Sequence, residues 1–170
     1  LKNVTIGKNV TSIGTSAFSD CVSLRRITIP DSVTSLVDYA FSMCKAVQNI
    51  ALGNGLKTIG ARAFYGCENI NSVVLGGRIE EVGGYAFGAC VSLYSAEVSD
   101  SVLSLGEGAF MGCSTLAEVS LGANLQRIGV NAFKDTQLWN EQESMVYADG
   151  WFLAPQKNTM LIYNVAAGTR

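Results

Sequence analysis

The fold of this chain is decided by the stretch Ala17-Phe18-Ser19-Asp20-Cys21-Val22-Ser23-Leu24-Arg25-Arg26-Ile27-Thr28-Ile29, whose pattern returns at every twenty-third residue. The phenylalanines keep this interval without a slip, at Phe18, Phe41, Phe64, Phe87, Phe110 and Phe133. The cysteines keep it too, at Cys21, Cys44, Cys67, Cys90 and Cys113. A fixed period of this length is typical of a solenoid, in which one unit buries its apolar side only against a neighbouring unit. The sequence therefore predicts a stack of like coils.

Counted from Leu1, six frames of 23 residues fill residues 1–138 and leave an irregular tail over residues 139–170. Two apolar columns lie two residues apart in every frame, and they are Val4, Ile27, Ile50, Val73, Ala96 and Val119, then Ile6, Ile29, Leu52, Leu75, Val98 and Leu121. This spacing puts both side chains on one side of an extended segment, with Thr28 turned away between Ile27 and Ile29. Each frame is predicted to contribute one strand to a parallel sheet.

The rest of each frame is predicted to turn the chain back. A turn is expected directly after the strand, at Gly7, Pro30, Gly53, Gly76, Ser99 and Gly122. A corner is expected at Gly14, Gly60, Gly83, Gly106 and Gly129, where the backbone needs either a positive φ or close approach to a neighbour. Val37 breaks that column, so either the angle suits a β-branched residue or that corner is distorted. Residues 17–21 are predicted to form one turn of α or 3₁₀ structure.

Charge and hydropathy exclude two classes of partner. The net charge is −2 and the isoelectric point is near 5.1, with no run of Lys or Arg, so we predict no nucleic-acid partner. No apolar run approaches the roughly 20 residues that span a bilayer, so no membrane insertion is predicted within this chain. Because Leu1 begins in mid-pattern, we expect the chain to be a segment of a longer protein, with any signal or anchor outside it.

The cysteines are predicted to be free, buried thiols. Equivalent side chains in neighbouring coils are parallel and about 4.8 Å apart, which exceeds the ~3.5–4.5 Å between Cβ atoms in a disulfide and gives the wrong torsion. As small apolar residues with a weak S–H donor, they are expected to close the turn before each strand. Thr136 is predicted to take this role in the sixth frame.

The residue types argue against catalysis. The chain has no histidine, which removes the commonest general base and the commonest transition-metal ligand. No metal, cofactor or catalytic residue is predicted. A carboxylate-based hydrolase is the less favoured alternative, with Glu80, Glu81, Glu97, Glu107 and Glu118 as its candidates and Glu97 near Glu118 in neighbouring frames. We predict that these acids are solvated, because no insertion forms a pocket around them.

The outward side chains of the predicted sheet are the candidate partner-binding face. They are Arg26, Thr28, Asn49, Ser72, Tyr94, Ser95, Glu97 and Glu118. This surface has a basic end near Arg25 and Arg26 and an acidic end near Glu97 and Glu118. Since packing holds the inward columns constant while the outward ones vary, binding specificity is predicted to reside here. The alternative is that this face is merely solvated and that a ligand binds elsewhere in a longer parent protein.

The tail departs from the repeat. Residues 145–147 and 151–153 are rich in β-forming residues and flank Asp149-Gly150, a pattern that predicts a hairpin. Residues 160–163 predict a third strand, connected through residues 155–159. This β-hairpin segment either interrupts the array and leads towards a further repeat or caps the open edge of the stack. We favour the interruption.

The pattern A-F-x-x-C-x-x-L-x-x-[VI]-x-[IL], with V-x-x-I-G ahead of it, resembles the BspA-like type of leucine-rich repeat over residues 1–138. The resemblance implies a right-handed β/α superhelix with one parallel sheet along the concave side. It also implies a secreted or cell-surface module for adhesion, whose partner is a protein on a host or neighbouring cell. A passive structural spacer in a larger surface protein is the alternative function.

Overall fold

The computed structural model describes residues 1–138 throughout and, beyond them, the backbone of three strands, Val146–Ala148, Trp151–Gln156 and Thr159–Asn164. Residues 1–138 form a parallel-strand solenoid of about five turns. The 23-residue period is therefore the repeat of the coil itself, and each residue lies beside its equivalent in the next coil.

One long sheet of very short strands runs along the solenoid. Its six strands are β1 (Ser12–Ile13), β3 (Ser35–Leu36), β5 (Thr58–Ile59), β7 (Glu81–Val82), β9 (Ser104–Leu105) and β11 (Arg127–Ile128). Neighbours pair in parallel with a register of one period, as in Ser12 with Ser35. The repeat pattern does not predict these strands, because two residues are too few to display the alternation by which a strand is recognised.

The strands that were predicted lie on another side of the coil. They are β2 (Arg26–Thr28), β4 (Asn49–Ala51), β6 (Ser72–Leu75), β8 (Ser95–Val98) and β10 (Glu118–Leu121). The expected single sheet is corrected, because β2 pairs with β4 while β6, β8 and β10 form a separate ladder. At the break Ile50 is only partly buried, whereas Ile27 and Val73 are buried.

The core is a column of stacked aromatic rings. Each phenylalanine from Phe18 to Phe133 stacks on the next, with ring centroids 5.1–5.6 Å apart and interplanar angles of 4–14°. The rings from Phe41 onwards are fully buried. The predicted phenylalanine ladder is confirmed, and it is the part of the core that holds successive coils in register.

The segment that leads into each ring is not helical, which corrects the prediction of a helical turn. Every coil has two residues with φ of 53–74°, four residues apart: Ser16 and Asp20, Tyr39 and Met43, Arg62 and Gly66, Tyr85 and Ala89, Gly108 and Gly112, Asn131 and Asp135. The phenylalanine amide donates to the next coil instead of to its own, as in Phe41 N to Ala63 O at 2.8 Å. Left-handed residues and amides bonded across coils leave no helix between them. Within the described residues there is no helix with the length and apolar character that crossing a membrane requires.

Four of the five predicted corner glycines are required by close approach and not by a positive φ, whereas an added Cβ at Gly14 would meet open space. A Cβ added to Gly83 would lie 2.6 Å from Ala61 N and Gly60 C in the preceding coil, and Gly60, Gly106 and Gly129 are equally close to backbone. None of these four has a positive φ. At Val37 the corner hydrogen bond to Ile13 O is 2.8 Å long, as at Gly60. The corner with Val37 is thus not distorted, and its backbone angle suits a β-branched residue.

The tail forms a three-stranded antiparallel sheet from β12 (Val146–Ala148), β13 (Trp151–Gln156) and β14 (Thr159–Asn164). The predicted hairpin and third strand are confirmed, although β13 continues to Gln156, beyond the predicted end. The Asp149-Gly150 turn lies outside the described residues. Whether residues 139–170 interrupt the array or cap it stays a prediction.

Candidate functional site

The alternation of the strands turns the candidate face outward. In β2, Arg26 and Thr28 are exposed on either side of buried Ile27, and the same alternation recurs in β6, β8 and β10. All eight predicted residues lie at the surface, with Ser95 partly exposed and the others exposed. Tyr94 directly precedes β8 and is 50% exposed.

The register divides the candidate residues into two groups. Arg26 lies beside Asn49, in the β2–β4 ladder that also carries Thr28. Ser95 lies between Ser72 and Glu118 in the β6–β8–β10 ladder, which also carries Glu97. The first group is basic and the second is acidic, so the predicted polarity of the face corresponds to two separate ladders.

The acidic group borders an open concavity of about 740 Å³ across β6, β8 and β10. Its rim includes Glu97 and Glu118, together with the exposed side chain of Val74, which is 57% accessible. Val74 belongs to this face although the predicted set omits it, and its position between two buried residues of β6 was the available signal. The concavity is broad and open, which suits contact with another macromolecule better than enclosure of a small substrate.

Tyr94 and Glu118 are linked across neighbouring coils. The Tyr94 hydroxyl donates a hydrogen bond to Glu118 Oε1 at 3.1 Å. This hydrogen bond to a carboxylate favours the protonated hydroxyl and raises the pKa of Tyr94. Glu97 lies beside Ser120 in the register and not beside Glu118, and the two glutamates share no hydrogen bond among the described residues.

The cysteines form a second ladder behind this face. Each buried thiol donates to the carbonyl oxygen of the phenylalanine in the preceding coil: Cys44 to Phe18, Cys67 to Phe41, Cys90 to Phe64 and Cys113 to Phe87, at 3.0–3.2 Å. The prediction of free thiols is confirmed, with Cys21 partly exposed. Thr136 holds the equivalent position in the sixth coil, and its hydroxyl closes the turn there by donating to Phe133 O within its own coil at 2.7 Å.

Burial makes these thiols poor nucleophiles. It raises the pKa of Cys44 from its usual value of 9.0 to about 11 and that of Cys67 still further. Reactive cysteines have the opposite property, a lowered pKa in an accessible position. The column is therefore structural.

A further cluster, which sequence reasoning missed, lies among the turns. The Arg62 guanidinium lies 5.6 Å from the Tyr39 ring and 4.9 Å from the Tyr85 ring, and Arg62 Nη1 donates to Tyr39 Oη at 2.8 Å. The Tyr85 hydroxyl donates to Glu107 Oε1 at 2.9 Å. The one-period spacing of Tyr39, Arg62 and Tyr85 was the available signal. The cation–π stack and the two hydrogen bonds tie four coils together.

Metal ligands do not converge in the part of the chain that the structure describes. Over residues 1–138 and the three tail strands, no three His, Cys, Asp or Glu side chains are grouped to hold an ion. Nothing in the geometry of the face calls for one.

Comparisons with known proteins agree with this architecture. The family model described as "BspA type Leucine rich repeat region" matches residues 1–90 and 38–142, in six copies. No curated protein matches the chain at a significant level.

Three solved structures are similar to the chain. A leucine rich cell surface protein from Faecalibacterium prausnitzii has 30% identity and a TM-score of 0.66, over 69% of this chain and 31% of that one. A leucine-rich repeat protein from Eubacterium ventriosum has 28% identity and a TM-score of 0.76, over 82% and 38%. The T. pallidum leucine-rich repeat protein has 28% identity and a TM-score of 0.56, over 74% and 70%. The chain thus spans about a third of the length of the first two.

Proposed function

Because this chain belongs to the BspA type of leucine-rich repeat proteins, we propose that it is a non-catalytic protein-binding module of a secreted or cell-surface protein. In this proposal it adheres to a protein on a host or neighbouring cell. The binding surface is the face formed by the outward residues of β2, β4, β6, β8 and β10.

One observation carries the proposal: buried and exposed positions of the same strands behave differently from coil to coil. The buried position stays aliphatic, as at Ile27, Val73 and Val119. The exposed position beside it changes from Arg26 to Ser72 to Glu118. A passive spacer needs the buried series but has no use for a particular exposed series. A binding face needs side chains that differ along its length, on a scaffold that does not move.

The setting of the module rests on its relatives. The similar F. prausnitzii structure is described as a cell surface protein, which supports the same location for this chain. The chemistry of the face supports a protein partner, because it combines exposed Val74 and Tyr94 with charges of both signs. Protein interfaces mix apolar, aromatic and charged groups in this way.

The test compares the face with exposed positions outside it. Four variants, Arg26→Ala, Asn49→Ala, Glu97→Ala and Glu118→Ala, remove exposed face side chains without touching the core. Chemical cross-linking on intact candidate cells identifies the bound protein, and surface plasmon resonance then measures its affinity for each variant. We expect at least two variants to weaken binding by about tenfold, as hot-spot residues do.

The matched controls are Lys57→Ala and Glu80→Ala, which change exposed charges away from the face. They are expected to leave the affinity unchanged. A partner that binds all four face variants as tightly as the unmodified chain would exclude this face and support the spacer function.

A further inference from the structure

Charge is distributed unevenly along the solenoid axis. Residues 1–69 carry seven Lys and Arg against four Asp and Glu, whereas residues 70–138 carry three against seven. The same gradient appears on the candidate face, from exposed Arg26 in β2 to exposed Glu97 in β8. Between these ends lie Ala51 of β4 and Val74 of β6, which are both exposed and apolar. The face therefore has an apolar centre between a basic end and an acidic end.

A surface of this kind is complementary to itself under one of two symmetry operations. Two identical faces can pack against each other around a two-fold axis in the plane of contact, and the two directions that keep the strands of both copies aligned run along the solenoid and along the strands. An axis along the solenoid keeps the order of the coils and sets Arg26 against Arg26 and Glu97 against Glu97. An axis along the strands reverses the order of the coils and sets the basic end of one copy against the acidic end of the other. Like charges exclude the first arrangement and favour the second.

We propose that the face binds a second copy of this chain in the reversed arrangement, an inference that rests on the proposed function and names a partner for the same surface. With the axis between β4 and β6, Val74 of each copy meets Ala51 of the other. Thr28 meets Glu97, and the Arg26 side chain spans the two-residue step of about 7 Å to that carboxylate. Arg25 meets the exposed ring of Tyr94, where a cation–π contact forms.

The size of the face sets the strength of this association. Six coils at about 4.8 Å and strands of about 13 Å give a footprint of about 400 Å² per copy, or about 800 Å² in total. This lies below the about 1,200 Å² of stable complexes and in the range of weak, transient contacts. We therefore expect a dimer with a dissociation constant in the micromolar range or weaker, which forms where copies are concentrated.

The test is sedimentation equilibrium of the 170-residue chain from about 10 μM to about 1 mM. We expect a monomer–dimer equilibrium in about 20 mM salt that weakens several-fold in about 500 mM salt, because exposed charges are screened. Arg26→Glu sets a carboxylate against Glu97 at both contacts of its dimer, and Glu97→Arg sets a guanidinium against Arg26 at both. Each variant alone is expected to dimerise about tenfold more weakly, because like charges then face each other.

Mixing the two variants provides the decisive measurement. In a mixed dimer, the Arg26→Glu side chain of one copy faces the Glu97→Arg side chain of the other, and the second contact keeps native Glu97 against native Arg26. Both contacts then carry opposite charges, so the mixture is expected to dimerise about as strongly as the unmodified chain. The double variant Arg26→Glu with Glu97→Arg in one chain reverses the charge at every contact and restores opposite charges at both. It is therefore expected to dimerise as strongly as the unmodified chain, whereas each single variant does not.

Two controls make the same charge changes off the face. Lys57→Glu and Glu80→Arg are expected to leave the dimer unchanged. Both positions are exposed, and neither belongs to the face strands β2, β4, β6, β8 and β10. A chain that stays monomeric at about 1 mM, or a dimer that the face variants do not weaken, overturns this inference. Either result leaves the proposed function standing if the alanine variants still weaken binding to the cellular partner.

Discussion

The Cys67 thiol lies 3.2 Å from the carbonyl oxygen of Phe41, in the preceding coil, and donates a hydrogen bond to it. The same oxygen accepts the amide of Cys44 in its own coil at 3.4 Å. One carbonyl group thus joins two coils, and the contact is repeated along the column. The cysteines cross-link the stack by hydrogen bonds instead of covalent bonds, and their sulfur atoms stay neutral in an apolar surrounding.

The buried thiols should make the protein less stable at alkaline pH. Burial raises the pKa of Cys67 well above 9.0 in the folded chain, so between pH 9 and that raised value the thiol ionises only in the unfolded chain. Stability from this group is complete below pH 9 and is lost as the pH rises. We expect the stability advantage of the unmodified chain over Cys67→Ala to shrink by about 2 kcal/mol between about pH 8 and about pH 10.5.

Urea unfolding at several pH values measures this difference. Ser72→Ala, at an exposed position that does not titrate, is the control and should follow the unmodified chain at every pH. Parallel pH profiles for the unmodified chain and Cys67→Ala would contradict the buried-thiol interpretation.

Gly83→Ala should be destabilising although its backbone angle is ordinary. The added Cβ would lie 2.6 Å from backbone atoms of Ala61 and Gly60, so two coils must move apart. We expect a loss of about 1–3 kcal/mol in the free energy of unfolding, as for other overpacked positions. Gly76→Ala is the matched control, because its nearest neighbour would be Val74 Cγ1 at 3.7 Å. Chemical denaturation of both variants checks the prediction, and equal stabilities would show that the corner has room.

Phe64→Ala should remove a central element of the core. The ring is fully buried and stacks on Phe41 at 5.6 Å and Phe87 at 5.2 Å, and the coils on either side cannot collapse into the gap. We expect a loss of about 3–5 kcal/mol, measured by urea unfolding followed by circular dichroism. Val74→Ala truncates an exposed side chain and should change stability by less than about 0.5 kcal/mol. Equal free energies of unfolding for Phe64→Ala and Val74→Ala would contradict the role of the phenylalanine ladder in the core.

The link between Tyr94 and Glu118 should be visible in the titration of the phenol. Glu118→Gln removes the negative charge that accepts the hydroxyl proton, so the pKa of Tyr94 should fall towards its usual value of 10.0. The ultraviolet absorbance of the tyrosines is titrated with pH in the variant and in the unmodified chain. The difference between the two curves isolates Tyr94 from the other tyrosines. Glu97→Gln lies on the same face without a bond to Tyr94 and should leave the titration unchanged. An unaltered curve for Glu118→Gln would mean that the two side chains do not meet in solution.

Particular residues mark the limit of what the sequence predicts. Ile27 and Ile29 reveal their strand because two apolar residues flank an outward Thr28, and the structure has the strand there. Ser12 and Ile13 form a strand too, but two residues carry no alternation to recognise. The helical turn predicted over residues 17–21 is wrong because Ser16 and Asp20 are left-handed. Asp is enriched in that conformation, but it is equally common in turns and at helix caps, so its presence alone does not predict it.

The sequence predicts which residues point outward on the candidate face, but it does not predict that the face is split into two ladders. Every residue of it except Tyr94 lies in one of the strands β2, β4, β6, β8 and β10. Period and alternation place these residues on one side of the coil. The separation into two ladders was not predictable, because the sequence pattern around Ile50, where the break lies, is the same as in the other frames.

The amino-acid sequence alone establishes the period, the identity of the buried columns and the stacking of equivalent residues. These follow from repetition, because identical units that must bury one side can do so only against each other. Three contacts are decided only by the three-dimensional arrangement. They are the close approach of a neighbouring backbone at the corner glycines, the hydrogen bond from each buried thiol to the preceding coil, and the hydrogen bond from Tyr94 to Glu118. Each of these contacts joins atoms about one period apart in the chain, and their distances depend on how closely two coils pack, which no single frame of the sequence contains.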